Sequence, residues 1–253
     1  MLARSDFPLS SLLATADAVF VGTDDAQVLR LDAAGSLRPL PGFAHTPGRK
    51  SWYAGTAVID GRVIGPPLGV RSMAATCDEA TLFANVHVGG IPRSLDQGTS
   101  WHPTLNIDWD VHQVCPHPSR PQIVAAAAGA GVCISRDGGA TWTVSAEGLH
   151  APYCAAVAFC GEDVLVSAAQ DHFATCGALY RLPWDAPAAI RPVQFGESRW
   201  LGAIIDTDCL ACEGDFIVAV DRTGALHWSE DGGRGWQAHP RRFAMTSALR
   251  VGR

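Results

Sequence analysis

Charge is scarce in this chain. Asp, Glu, Lys and Arg make up 17% of the residues, against roughly 25% in a typical soluble domain. Lys plus Arg number 19 and Asp plus Glu 25, giving a formal net charge of −6. A phosphate backbone needs a basic footprint, so the balance excludes nucleic acid and anionic membrane as general partners. No run of 18 apolar residues occurs, so no membrane-spanning helix is expected. The N-terminal MLARSDFPLSSLLATADAVF has an early Asp, a Pro and no long apolar stretch, and does not read as a signal peptide. Eight cysteines are present, most in apolar strand-like runs such as GVCIS and AVAFC, where a thiol behaves as a small hydrophobe. The only close pair is Cys209 and Cys212, and one C-x-x-C without a second is weak for zinc. A reducing cytoplasm suits unpaired cysteines and is the expected compartment.

What the chain does have is apolar bulk and punctuation. Of its 253 residues 47% are hydrophobic, with 26 Gly and 16 Pro. That length suits one large all-β domain, and such a domain buries about three-quarters of its unfolded surface without staples.

Repeats organise it. Ser94-Leu-Asp96-Gln-Gly98-Thr-Ser-Trp101, Ser135-Arg-Asp137-Gly-Gly139-Ala-Thr-Trp142 and Ser229-Glu-Asp231-Gly-Gly233-Arg-Gly-Trp236 share the pattern S-x-D-x-G-x-x-W. Each follows one short β-rich run and precedes another, so each reads as a hairpin turn. The Asp carboxylate accepts backbone N–H groups within its own turn. The Gly occupies a place that a side chain would obstruct. The Trp packs back on the hairpin. Asp96, Asp137 and Asp231 are therefore structural, as are Gly98, Gly139, Gly233, Trp101, Trp142 and Trp236. Weaker copies stand at Leu29–Gly35, which keeps Asp32, and at Leu179–Trp184, which keeps the strand and loses the turn.

This pattern resembles the Asp-box, or BNR, repeat of sialidases, sortilin-type receptors and photosystem II assembly factors. The resemblance implies a β-propeller, and the chain looks most similar to bacterial BNR-repeat proteins described as sialidase-like. The five copies lie roughly 40 to 65 residues apart, and a four-stranded blade takes about 40–50. The expected fold is a single all-β propeller over residues 1–253 with five four-stranded blades. Six blades result if residues 41–66, with the hairpin-like GTAVIDGRVI, form a reduced one. The first unit lacks an evident inner strand and begins at AVFVGT. Phe243 to Val251 reads as an orphan inner strand, so the C-terminal segment is expected to join the N-terminal blade and close the ring.

In such a ring the box turns mark the lower face. The upper face then collects the unusual residues. The long crossing 41–69 carries His45, Arg49, Lys50, Trp52 and Tyr53, either as a ligand lid or as a plug of the channel mouth. Strand starts give Arg71, His112, Tyr153, Trp200 and Met245, preceded by Asp108, Asp110, His150, Glu197 and Arg199. Other upper loops give His87, Asp171 and His172. Candidate catalytic residues are His112, His172, Asp171 and Tyr153. Candidate substrate-binding residues are Arg49, Trp52, Tyr53, Arg71, His87, Arg199 and Trp200.

Three readings follow. One is a scaffold that binds a small polar molecule or a protein partner at the upper channel mouth. A second is a hydrolase or lyase at the same site, with or without a divalent metal. His87, His112, His150 and His172 would supply imidazoles, and Asp110 or Asp171 would complete a mixed set; no H-x-H or H-E-x-x-H motif is present. The resemblance implies a third, sialidase-like glycosidase chemistry. Arg49, Arg71 and Arg199 would hold a carboxylate, with Tyr153, Glu197 and Asp171 at the scissile bond. The sialidase R-I-P motif is absent, its letters recurring only as Ile91-Pro92-Arg93, and the chain has three Tyr in all.

Overall fold

A computed structural model describes residues 8–53, 57–59, 62–64, 68–244 and 246–251. The chain is all-β, with five antiparallel sheets in chain order and one short hairpin. The first sheet contains β1 (Leu9–Ala14), β2 (Val19–Thr23), β3 (Val28–Leu31) and β4 (Leu37–Pro39). The long crossing follows. It holds the single-turn helix α1 (Pro41–Ala44), a 3-10 turn at Arg49–Ser51, and the hairpin β5 (Ala57–Ile59) and β6 (Arg62–Ile64). The second sheet is β7 (Val70–Ala75), β8 (Leu82–Val86) and β9 (Arg93–Ser94). A 3-10 turn at Ile107–Trp109 leads into the third, β10 (Val111–Pro116), β11 (Val124–Ala128), β12 (Gly131–Ser135) and β13 (Thr143–Ser145). The fourth is β14 (Tyr153–Cys160), β15 (Asp163–Ala169), β16 (Gly177–Pro183) and β17 (Arg191–Pro192), with β18 (Trp200–Leu201) also paired to β16. The fifth is β19 (Ile205–Glu213), β20 (Phe216–Asp221), β21 (Ala225–Ser229) and β22 (Gln237–Arg242).

Two compact units emerge. One comprises residues 1–124 and 136–142, the other 125–135 and 143–253. In the first unit, the leading strands β1, β7 and β10 pack side by side. The core there is built from Phe20, Val28, Phe43, Val70, Leu82, Ala84, Val86 and Trp101. In the second, β14 packs on β19, around Leu165, Leu179, Leu201, Ile205, Leu210 and Ile217.

The expected inner strand of the first sheet is supplied differently. LSSLLA, residues 9–14, pairs with β2 from Leu9 opposite Thr23 to Ala14 opposite Val19. The Ser10 and Ser11 hydroxyls donate to the Val70 carbonyl at 2.9 and 2.7 Å. Phe243 to Val251, expected to fill that position, forms no strand in its described residues. It lies along β19 instead, with the Leu249 N–H donating to the Asp208 carbonyl at 2.7 Å. Met245, an expected strand start, lies outside the described residues, as do parts of GTAVIDGRVI. The reason is local: β2 already has a partner from its own N-terminal side, joined by a four-residue turn in which the Thr15 N–H meets the Ala18 carbonyl at 2.8 Å. The second sheet has three strands rather than the expected four, and the segment after its box turn, SWHPT, adds one bridge between Arg93 and His102. Pro103 follows and has no N–H to extend the ladder.

The repeated turns have a shared construction. Ser94 donates to Asp96 Oδ1 at 2.8 Å and accepts the Gly98 N–H at 2.8 Å, while Asp96 Oδ1 accepts the Ser100 N–H at 2.8 Å. Ser229, Asp231, Gly233 and Gly235 repeat these bonds at the same distances. The indole N–H of Trp101 donates to the Gly98 carbonyl at 3.0 Å and that of Trp236 to the Gly233 carbonyl at 3.2 Å. Trp142 departs, donating to the Thr104 hydroxyl. Gly139 has φ +79, and a Cβ there would lie 2.4 Å from the Phe83 ring, a direct clash. The weak copy at Asp32 also makes a turn, accepting the N–H groups of Ala34 and Ser36.

Candidate metal centre

Three elements of the first unit converge on one small cluster. Strand β7 begins with an irregularity: Val70 opposes Val86 and Ser72 opposes Asn85, which leaves Arg71 as the extra residue of a bulge. Bulges re-aim side chains and recur beside functional sites. After β8, the chain turns sharply through His87, Val88, Gly89 and Gly90. The His87 N–H donates to the Gly69 carbonyl, and Val88 has φ +51. Before β10, Asn106 caps the 3-10 turn by accepting the Asp108 N–H at 3.0 Å, and Asp110 ends that turn at φ +52. Asp110 is the last residue before β10 and His112 its second residue, and the left-handed backbone at Asp110 precedes the strand that carries His112.

The result is a His–Asp–His group. His87 Nε2 lies 3.4 Å from Asp110 Oδ1, and His112 Nε2 lies 3.4 Å from Asp110 Oδ2. The imidazole centroids are 6.1 Å apart. His112 is 1% exposed and His87 6%, while about a third of the Asp110 side chain remains open. Burial pushes the Asp110 carboxyl up. The His112 hydrogen bond and the charges of His112, His87 and Arg71 outweigh it and hold the carboxyl below the ordinary carboxylate range. One ligand atom from each of the three residues lies within 4.8 Å of the others, the one such group among the described residues with metal-binding potential.

The remaining candidates lie in other surroundings. Trp52 is 8% exposed and packs in the first unit's core beside Phe43. Arg49 stacks 4.8 Å over the Trp52 ring and donates to the Ala26 carbonyl at 2.7 Å. These two residues staple the long crossing down, and of its aromatic residues Tyr53, 49% exposed, faces solvent. In the second unit, the His150 ring nitrogen bonds the Tyr180 hydroxyl at 2.8 Å, and its ring meets Trp200 edge-on at 4.9 Å. Burial, then the Arg199 charge, lowers the His150 pKa. Arg199 stacks on Trp200 at 4.4 Å. Tyr153 packs against Ala155, Ala169 and Ile204. Asp171 caps its own turn by accepting the Phe173 N–H at 2.7 Å. The His172 carbonyl accepts from Arg222, and its ring contacts Phe173. The four imidazoles thus fall into one close pair, His87 with His112, and two residues that do not join its metal-binding group.

Two cavities are lined by other residues. One, of about 260 Å³, is bounded by Arg181, Arg191, Gly233 and Arg234; the other, of about 700 Å³, by Thr15–Val19 with Arg30, Asp32 and Arg38. No helix among the described residues is long and apolar enough to cross a membrane.

No family model matches the sequence, and no curated protein sequence matches it. Solved structures do. An ancestral GH74 enzyme is similar over 90% of this chain and 31% of its own, at 16% identity and TM-score 0.61. YCF48 bound to D1 peptide is similar over 95% of this chain and 69% of its own, at 17% identity and TM-score 0.62. The GH74 xyloglucanase from Xanthomonas campestris covers 91% and 38%, at 16% identity and TM-score 0.58. The chain therefore spans about a third of the GH74 enzymes it resembles. These neighbours are β-propeller proteins, and the likeness is one of fold.

Proposed function

We propose that this chain is a propeller-type binding protein, built on Asp-box repeats, whose His87, Asp110 and His112 hold a divalent transition-metal ion, and that the ion and Arg71 together take a small anionic or polar ligand. The supporting observation is the pair of 3.4 Å separations between Asp110 and the two imidazoles. That is long for a good N–H···O bond. Each is close to the N···O edge of a tetrahedron whose bonds are about 2.0–2.1 Å, the zinc–imidazole and zinc–carboxylate distance; the two end on different Asp110 oxygens, so the carboxylate must turn to offer one oxygen to the ion. Three protein ligands leave a fourth position open, as in metal sites that bind exogenous ligands. The open side of Asp110 gives that position access, and Arg71 adds positive charge where an anion would arrive. The same arrangement would serve a hydrolytic or lyase role if the fourth position held an activated water; nothing in the cluster adds a separate acid, which favours binding.

Equilibrium dialysis of the full chain against zinc tests this. One equivalent should bind to the wild type and to His150→Ala. His112→Ala and Asp110→Ala should lose it. Equal zinc in wild type and His112→Ala would remove the proposal. A second reading, peptide docking on the same fold, is favoured by the extent of the likeness to YCF48 bound to D1 peptide.

A further inference from the structure

The second unit contains a thiol pair that sequence spacing does not reveal. Cys212 meets Cys160 rather than its sequence neighbour Cys209, which is buried and bonds the Thr246 carbonyl. Cys160 ends β14 and Cys212 lies near the end of β19, and these strands pack together. Both sulfurs approach one acceptor, the Gly214 carbonyl, at 3.7 and 3.4 Å. Both side chains are half-buried. Arg181 Nη2 stands 3.8 Å from Cys160 Sγ, held by the Gly232 carbonyl, while its Nε faces Asp163 at 3.7 Å. Arg181 also forms part of the 260 Å³ cavity with Arg191 and Arg234.

We propose that Cys160 and Cys212 are a thiol–disulfide exchange site for a small disulfide bearing carboxylates, which the Arg181, Arg191 and Arg234 cavity receives. The Cys160 thiolate attacks one sulfur of the small disulfide, and the other sulfur leaves as a thiolate. That thiolate takes the Cys212 proton. Cys212 then attacks Cys160 Sγ, closing the protein disulfide and expelling the second small thiolate, which picks up a proton from water. The net change is two protein thiols and one small disulfide to one protein disulfide and two small thiols. The sulfurs, which share the Gly214 carbonyl as acceptor, must close to about 2.05 Å.

The electrostatics fit this division of labour. The Cys212 hydrogen bond, against burial, and then the Arg181 charge bring Cys160 down to about 7, with Asp163 and Asp215 opposing. Cys212 is pushed up, first by that same hydrogen bond and then by burial. Cys160 is thus the attacking group and Cys212 the proton-bearing resolving group.

The test uses the full chain carrying Cys77→Ser and Cys176→Ser, since these two thiols are exposed. Glutathione disulfide and cystamine, an anionic and a cationic small disulfide, are compared at pH 7 by intact mass and peptide mapping. The expected product with glutathione disulfide is a Cys160–Cys212 linkage, two hydrogens lighter. Cys212→Ala should instead accumulate a mixed disulfide on Cys160. Glutathione disulfide should react faster than cystamine by about tenfold, and Arg191→Ala with Arg234→Ala should erase that preference without slowing iodoacetamide. Alkylation of Cys160 should have its pH midpoint near 7, about 1.5 pH units below an ordinary thiol. A linkage joining other cysteines, an equal or reversed charge preference, or a midpoint in the ordinary thiol range would each overturn the proposal.

Discussion

Replacing Gly139 by Ala should cost about 2–5 kcal/mol, in two separable parts. Gly139 stands at φ +79, and a Cβ at that backbone costs an L residue about 1–2 kcal/mol. The new methyl would also sit 2.4 Å from Phe83 Cε1 and 3.0 Å from Cζ. Phe83 is fully buried in β8, so its ring must leave its place in the core. Overpacking of that kind costs about 1–3 kcal/mol. Gly138 next door supplies the control. It too has positive φ, +66, but a Cβ there meets nothing closer than the Pro121 carbonyl at 3.8 Å. Gly138→Ala should therefore lose only the backbone part. Urea unfolding of both variants measures each cost, and their difference isolates the Phe83 contact. Calorimetry should show the Gly139 variant melting several degrees below the Gly138 variant, at about 2–4 °C per kcal/mol for a chain of this size. Equal destabilisation of the two would refute the claim that the repeated glycine is required by packing as well as by φ.

Three further outcomes follow from the same structure. The Asp96 carboxyl is held below its ordinary range by the Ser100 hydroxyl and N–H, with burial opposing. Its contribution is complete above the unfolded carboxylate pKa of about 3.9 and is lost as pH falls through the lower folded value. Asp96→Asn should therefore flatten the acid limb of a stability-versus-pH curve below about pH 4 and change little at neutral pH beyond a constant offset. A protein ending at Arg242 should keep its first sheet, because β1 comes from residues 9–14, whereas one beginning at Thr15 should lose protection of the β2 amides in hydrogen exchange. Zinc affinity of the wild type should weaken in acid, since imidazole and carboxylate ligands must be deprotonated to coordinate.

The repeats were legible because each position has one demanding task. Ser and Asp close the turn by hydrogen bonds, Gly takes a positive φ close against a neighbouring side chain (Leu40, Phe83 or Arg181), and Trp caps the hairpin. Those demands leave a fixed spacing in the sequence. LSSLLA was hidden because its pattern lacks both β-branched residues and clean alternation; it is a strand only because β2 and the Val70 carbonyl are there to pair with it. The C-terminal FAMTSALRV has an equally good pattern but no open edge at β2 to occupy. Among the site residues, His87, Asp110 and His112 were visible as rare polar types at strand ends. What separated them from His150, Asp171 and His172 is local packing: a Tyr180 hydroxyl for His150, a turn amide for Asp171, and Phe173 and Arg222 for His172. Arg49 and Trp52 looked like a lid because they sit in a long crossing. Trp52 packs in the first unit's core, and Arg49, half-buried, stacks on its ring.

Zinc K-edge absorption on the protein loaded with one equivalent reads the ligand shell around the bound ion directly. Ligation by His87, Asp110 and His112 predicts nitrogen and oxygen scatterers at about 2.0–2.1 Å with the outer-shell signature of two imidazoles, and loss of that signature in His112→Ala. A sulfur shell at about 2.3 Å would place the ion at cysteine thiols and contradict ligation by His87, Asp110 and His112.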